Sequence, residues 1–470
     1  MGAAAGTLSL ALPARAADPL ELDDVAGGGF RAELLSVGQR DFAAWWPSDA
    51  PADTIVRIAR ADGRGKVRRL RLARGQTVHA ARIDDLQPDT RYRYELLSGR
   101  RRVRPSNANP GFFRTLPRQE GRRLATIAVL NDMHVGEQCS GTIQTIGGQS
   151  YPPCFSGDDY AYRMTAAAVR EIRALKPDLL VANGDLTDRG RPDEVRRALA
   201  LLRSAKVPLL VTRGNHDRRF PEAGGDGDEL RAQGFPNRPP GDHALASAAR
   251  VGRHVGAVGL DSCDPDSGEG RLDLGGQLTF LDSTLAAFKR EGRVPLAVWH
   301  HHTAPHANTT HPPPVVFGVN PLRGGLDAVR IVGRHRVPLV VHGHTHRNYL
   351  ARDPLVAPAT WFLENGAAKE YPAGYALLHV YEDAIVRTFE RPIDPFVRDW
   401  VRTSARQIYG RQPAYTRGPL ATRSFALRTD GRRGAGAPAP TILGPLGVPR
   451  LPAGGLLRDT VRGIGRGLGA

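Results

Sequence analysis

Two rhythms of apolar and polar positions divide the chain. Between about residues 25 and 117 the runs FRAELLSVGQ, DFAAWWPSD, DTIVRIAR, GKVRRLRLAR, QTVHAARIDDL, TRYRYELLSG and GFFRTLP alternate with period two between Gly, Pro and Asp punctuation. Short alternating runs at this spacing predict a β-sandwich. From Leu124 the pattern changes to continuous apolar runs that end in polar residues: LATIAVLND, PDLLVANGD, VPLLVTRGNHD, HVGAVGLDS, VPLAVWHHH and VPLVVHGHTH. Amphipathic stretches such as AYRMTAAAVREIRAL, PDEVRRALALLRSA and GQLTFLDSTLAAFKREG lie between them. Strands apolar on both faces with helices between them predict an α/β sandwich. GYALLHVYEDAIVRTFERP reads as a closing hairpin that ends this domain near residue 392, so residues 122–392 form the second unit. In the remainder, 393–470, a helix is expected over PFVRDWVRTSARQIYG, and the Gly-, Pro- and Arg-rich stretch from 410 onward is expected to be largely disordered.

Composition adds limits. At 470 residues and 41% hydrophobic, the chain can bury at least one large core. The net charge is +17, yet only five of the 65 basic residues are lysine, and the arginines are spread evenly. A nucleic-acid footprint would cluster, so no specific nucleic-acid partner is expected. Residues 1–17, MGAAAGTLSLALPARAA, contain the small-x-small unit Ala14-Arg15-Ala16 without the usual basic start. They read as an export signal, giving a periplasmic or extracellular protein, or as an alanine-rich tail on a cytoplasmic one. No segment is apolar over the roughly 20 residues that a membrane span requires. Cys139 and Cys154 bracket a Gly/Pro loop that a disulfide would tie outside the cytoplasm; the alternative is unrelated thiols, and Cys263 is left over in either case.

The chemistry collects where the apolar runs stop. In an open α/β sheet ligands sit at the carboxyl ends of the strands. Here those ends read Asp132-Met133-His134, Asn183-Gly184-Asp185, Gly214-Asn215-His216-Asp217, His300-His301-His302 and His342-Gly343-His344-Thr345-His346. Each alone is an ordinary turn or a satisfied polar residue. Five at one edge of one sheet are too many for that explanation, because burying so many imidazoles and carboxylates costs several kcal/mol unless something pairs with them. A metal centre is the economical partner.

The order Asp-x-His, Gly-Asp, Gly-Asn-His-Asp, His, Gly-His-x-His resembles the calcineurin-like metallophosphoesterase superfamily over about residues 122–392. The resemblance implies a four-layer α/β/β/α sandwich holding two divalent metals. It implies that Asp132, His134 and His346 hold the first metal, that Asn215, His344 and one histidine of 300–302 hold the second, and that Asp185 bridges them. Among the three histidines His301 is chosen, because the family ligand leads a His-x-Pro-like unit; His300 and His302 would then point away, and His342 lies outside the family pattern. Mixed oxygen and imidazole ligands suit Mn, Fe or Zn. By the same resemblance His216 protonates the leaving oxygen. GDLTDRG at 184–190 is similar to a protein-phosphatase motif, which would make Asp188 the orienter of His216 and Arg189 a bidentate holder of phosphate; the alternative for that pair is a helix cap and a surface arginine.

ARIDDLQPDTRYRYELL resembles the fibronectin type III pattern, and a β-sandwich ahead of such a domain is similar to the purple acid phosphatase layout. Those enzymes carry a tyrosine ligand where this chain has Asp188, and they lack a histidine at the position of His134. The expectation is therefore metal-assisted hydrolysis of a phosphate ester, a small molecule or nucleotide, by a centre of the bacterial phosphodiesterase type. A phosphomonoesterase and a non-catalytic exported binding protein are the alternatives.

Overall fold

In the computed structural model the described residues are 29–140, 159–218, 229–233, 246–303, 322–410 and 412–430. The expected signal segment, Cys154 and the tail beyond 430 lie outside them. The N-terminal unit is all β: β1 (Glu33–Val37), β2 (Phe42–Arg60), β3 (Arg68–Ile83), β4 (Arg91–Ser98), β5 (Arg101–Arg102) and β6 (Phe112–Arg114). Every pairing in it is antiparallel. Four runs expected to be separate strands fuse into the long β2 and β3. The Pro47–Pro51 punctuation bends β2 without breaking it, since the register with β3 shifts between Pro47 and Ala52 and the strands pair again beyond. Phe42, Trp46, Ile58, Tyr92, Tyr94 and Phe113 fill this unit's core.

The second unit has the expected four layers. Its strands are β7 (Arg123–Leu130), β8 (Leu179–Asn183), β9 (Leu209–Thr212), β10 (Ser247–Val251), β11 (Val255–Gly259), β12 (Val294–Val298), β13 (Leu339–His342), β14 (Tyr349–Asp353), β15 (Ala357–Glu364), β16 (Tyr375–Tyr381), β17 (Ala384–Glu390) and β18 (Ser424–Arg428). One sheet runs β18-β17-β16-β7-β8-β9, the other β10-β11-β12-β13-β15-β14. Alternate residues of both sheets, among them Ile127, Val129, Val181, Leu296, Val298, Leu339, Val341 and Trp361, meet between the sheets. The opposite faces bury helices. Helices α1 (Tyr160–Leu175) and α2 (Pro192–Arg203) cover the first sheet, and α3 (Gln277–Arg290) and α4 (Gly325–Arg334) cover the second. Strands buried on both faces need such continuous apolar runs.

The domain does not end at 392. After α5 (Pro395–Ser404), which Asp394 caps by accepting from the Phe396 and Val397 amides, the chain returns as β18 to the edge of the first sheet. Phe425 and Leu427 join the inter-sheet core. Residues 412–430 are therefore part of the fold, where a flexible stretch was expected: a five-residue strand carries enough alternation to complete a sheet edge, too little to stand out in an Arg-rich stretch.

The two units share a buried ionic joint. Arg391 donates to Glu33 Oε1 (2.6 Å) and Tyr371 Oη to Glu33 Oε2 (2.5 Å), while Arg423 donates to the Leu34 and Leu35 carbonyls. All of these side chains are buried. Among the described residues no helix is long and apolar enough to cross a membrane.

Candidate metal centre

Parallel pairing of β7 with β8 and of β8 with β9 in one sheet, and of β12 with β13 in the other, aligns the carboxyl ends within each sheet, and the packing of the two sheets sets all five at one edge of the sandwich. Cross-bonds fix the loops that follow. The Met133 and His134 amides donate to the Asp185 carbonyl (2.8 and 2.9 Å), and the Gly343 amide donates to the His300 carbonyl (3.0 Å). Asp132, His134, Asp185, His344 and His346 all have positive φ, at 51°, 45°, 47°, 69° and 56°. Left-handed backbone costs about 1–2 kcal/mol per non-glycine residue and persists only where the surroundings impose it. Five such residues in one cluster mark strand ends turned sharply so that their side chains face each other. Glycines allow the approach: a Cβ on Gly343 would stand 2.9 Å from Asp132 Oδ2, and one on Gly214 would stand 2.9 Å from Asp185 Cγ.

The side chains form three overlapping groups, one of them His134, Asp188 and His216. Asp132, His134, Asp185 and His346 each offer an atom within 4.8 Å of the others, and so do Asp185, His300 and His344. Asp185 belongs to the latter two. His134 Nε2 lies 3.5 Å and His300 Nε2 3.2 Å from Asp185 Oδ2, and His346 Nε2 lies 3.5 Å from Asp132 Oδ1. Asn215 Oδ1 is 2.8 Å from His344 Nδ1. Asp132 Oδ1 accepts from the His344 amide (2.9 Å), and Asp185 Oδ1 accepts from the His216 amide (2.8 Å).

One expected ligand is corrected. His300, not His301, enters the cluster. Leu296 and Val298 face the inter-sheet core, so the period-two alternation of β12 carries His300 to that side and His301 to the other. His301 Nδ1 instead meets Ser262 Oγ at 3.0 Å, and its ring also bonds the Gly268 backbone. His302 faces Glu364, 3.3 Å from Oε1, and His342 rests between the Trp299 carbonyl (3.2 Å) and Thr303 Oγ1 (3.3 Å). Neither of these two histidines belongs to a donor group of the cluster.

His216 lies beside the cluster, its ring centroid 4.3 Å from that of His134. Its Nδ1 donates to the backbone carbonyl of Asp188 at 2.9 Å; the Asp188 carboxylate, expected as the orienter, stands further off at 3.8 Å. Arg189 is half-exposed, 3.5 Å from that carboxylate. Asp217, quoted in the sequence motif but given no task, staples the loops together. It accepts from the amides of Leu186 (3.1 Å), Thr187 (2.9 Å) and Gly214 (3.0 Å).

Electrostatics follow from the crowding. Burial opposes charge on Asp185, but His300 and His216 outweigh it and hold the carboxyl well below its ordinary range. Burial pushes the Asp132 carboxyl up against His346 and His300, with Asp185 adding to the rise. Burial also disfavours charged imidazoles, driving His134 well down and His301 to about 3. His300 and His216 run the other way, each raised against burial to about 9 by Asp185, helped by Asp132 and Asp188 respectively.

The donors fit a metal. Both ring nitrogens of His134 and Nε2 of His300 are buried with no hydrogen-bond partner among the described residues. An unmet buried group of this kind costs about 1–3 kcal/mol, and a cation between these imidazoles and Asp132 and Asp185 would relieve it.

An α/β/β/α sandwich that gathers carboxylates and imidazoles at one strand edge defines a metal-dependent hydrolase. Residues 125–348 match the sequence model of the calcineurin-like phosphoesterase family. A probable cyclic nucleotide phosphodiesterase of Synechococcus sp. is 28% identical over 233 residues, which span 47% of this chain and 80% of that protein. A dimetal phosphatase from Danio rerio superposes with a TM-score of 0.43 at 14% identity, covering 58% of this chain and 98% of the other. A purple acid phosphatase from yellow lupin, Lupinus luteus, gives 0.43 at 13% identity, covering 89% and 78%. Residues 125–348 thus carry a calcineurin-like phosphoesterase domain, the chain is a phosphoric ester hydrolase, and its cluster offers donor groups able to hold divalent metal ions.

Proposed function

We propose that the protein hydrolyses phosphodiesters, with a cyclic or other nucleotide as the substrate class. The observation that carries this reading is the overlap of two donor groups at one carboxylate, Asp185. Asp132, His134 and His346 would hold one cation, Asn215, His300 and His344 the second, and Asp185 would bridge them. Bound there, two cations supply a Lewis-acid clamp on the phosphoryl oxygens and lower the pKa of the attacking water. His216 keeps its Nδ1 proton on the Asp188 carbonyl, so Nε2 is the atom that hands a proton to the leaving oxygen. Arg189, half-exposed beside the cluster, would hold a phosphate oxygen. The diester preference is supported by the similarity to the probable cyclic nucleotide phosphodiesterase of Synechococcus and by Asp188 standing where purple acid phosphatases carry tyrosine.

The test is hydrolysis of bis-p-nitrophenyl phosphate beside the monoester by Mn-loaded protein, with His216→Ala in parallel. The diester should be the better substrate, and the variant should lose turnover while keeping its metals. Faster monoester hydrolysis would make the protein a phosphomonoesterase, and metal loading without hydrolysis of either ester would leave a binding protein. An exported location also belongs to this proposal. It is supported by Cys139 being disulfide-bonded, a state that persists in oxidising compartments. Fractionation of the producing cells tests it: recovery from the cytoplasm would reject it.

A further inference from the structure

Beyond the ligands themselves, the centre is backed by a buried charged bracket. Glu370 Oε1 accepts from His346 Nδ1 at 2.7 Å, and its other oxygen accepts from Ser140 Oγ at 2.5 Å. Lys369 stands 3.9 Å from Glu370 and pairs closely with Glu137, whose carboxylate is 3.8 Å from His134 Nδ1. Glu370 and Lys369 are both buried. The loop that presents them is held from outside the matched region 125–348. Trp400 donates to the Lys369 carbonyl (2.9 Å), and Ser404 Oγ accepts from the Tyr371 amide (3.0 Å). Gln407 donates to Ser140 Oγ (2.5 Å), and Gln412 donates to the Tyr371 carbonyl (3.2 Å). From the N-terminal unit, Glu33 accepts from Tyr371 Oη.

We propose that Glu370 is a positioning residue for His346, and that residues 395–412, through their grip on 369–371, are a working part of the metal centre. The inference rests on the two-metal reading above. An imidazole can bind a cation through Nε2 only if that nitrogen is unprotonated and correctly aimed. A carboxylate on Nδ1–H sets both conditions at once, fixing the tautomer and the ring plane. His346 meets both: Nδ1 faces Glu370, and Nε2 lies 3.5 Å from Asp132 Oδ1 on the opposite side of the ring. Glu370 could not do this alone, because a mobile carboxylate would let the ring turn. The bonds from Ser140 Oγ and from Gln412 Nε2 (3.4 Å) and the nearby Lys369 ammonium hold it still, and Gln407 in turn holds Ser140. The segment that follows the closing hairpin thus has a task at the site as well as in the sheet.

The experiment titrates full-length wild type, Glu370→Gln and Ser140→Ala with Mn2+, reading each site by calorimetry and electron paramagnetic resonance. The His346 tautomer is read by 15N chemical shift in the Zn-loaded proteins. Wild type should bind two Mn2+. Glu370→Gln should weaken one site by about 10–100-fold, the scale seen when the outer partner of a ligating histidine is lost, leave the other site unchanged and shift the His346 nitrogen signals. Glu370→Gln leaves Lys369 paired with Glu137, so folding is expected. Should it fail to fold, Ser140→Ala removes only a hydroxyl from the same carboxylate and should weaken the same site by a smaller factor. Two Mn2+ bound at wild-type affinity, with an unchanged His346 signature, would overturn the positioning role and leave the two-metal reading intact. A wild type that binds no Mn2+ would overturn both.

Discussion

Replacing Gly214 by alanine adds one methyl group and no charge, yet the geometry makes it a severe change. The residue has an ordinary φ of −108°, so the backbone accepts alanine. Entropy of the unfolded chain alone would then stabilise the variant by about 0.4–1 kcal/mol. Packing reverses the sign. The new Cβ would stand 2.9 Å from Asp185 Cγ and nearer still to Oδ1 and the Asp185 amide nitrogen, where approaches under 3.0 Å essentially never occur. Overpacking of this kind costs about 1–3 kcal/mol, leaving a net loss of up to about 2.6 kcal/mol once the entropic gain is offset. In a domain of this size that lowers Tm by several °C. Asp185 has to yield, and a catalytic group displaced by ~1 Å loses about 10²-fold in rate. Thermal unfolding, Mn content and bis-p-nitrophenyl phosphate turnover should all fall together. Gly259→Ala is the control, since its Cβ would crowd Thr212 Cγ2 at 3.1 Å and nothing in the cluster. Wild-type turnover and metal content in Gly214→Ala, or an equal loss in Gly259→Ala, would refute the argument that the placement of Asp185 governs activity.

His300→Ala should lose one bound metal and at least about 10²-fold in turnover, whereas His301→Ala should keep both metals and lose about 1–3 kcal/mol of stability, because the Ser262 hydroxyl loses its imidazole partner and keeps only the residue 301 amide; metal analysis of the two variants separates them. At the joint between the units, burial opposes charge on Glu33, but Arg391 and Arg423 outweigh it and hold the carboxyl below its ordinary 4.5. A depressed carboxyl stabilises the fold fully above that ordinary value and loses the effect as pH falls through the folded one. The Tm gap between wild type and Glu33→Gln should therefore be widest near neutrality and close on acidification below 4.5; a gap constant with pH would show that the pair contributes nothing through ionisation. Phe425→Ala should cost about 3–5 kcal/mol in chemical denaturation, because that ring fills the inter-sheet core. An unchanged midpoint would mean that β18 is not part of the cooperative unit.

Most of the centre is legible in the chain because strand-end residues in a parallel sheet are forced to one edge whatever the side chains are. Asp132, His134, Asp185, Asn215, His344 and His346 need only the ends of four apolar runs, and the runs are unmistakable. Boundaries set by composition fare worse. Pro47–Pro51 reads as a turn but only bulges a long strand, and SFALR vanishes in an Arg-rich stretch although its two alternate apolar residues complete a core. Glu370 has no signal of its own, being a single acid 24 residues beyond His346 in a loop placed by contacts from 395–412.

The exchange of His301 for His300 shows where the physical signal lay. A family frame ranks the three histidines by their neighbours in sequence; the sheet ranks them by face. Leu296 and Val298 point between the sheets, so the next residue in step is His300, and the pleat delivers it to Asp185 while His301 is carried to the layer of Ser262 and α3. The same step applied to β13 takes Leu339 and Val341 to Gly343, whose missing side chain leaves room for Asp132 and the His300 ring. Because the two strands pair in parallel with Val298 opposite Val341, His300 and Gly343 fall level, ligand against gap. An alanine at 343 would therefore press on Asp132 and His300 together, which is why a glycine precedes the final pair of histidines.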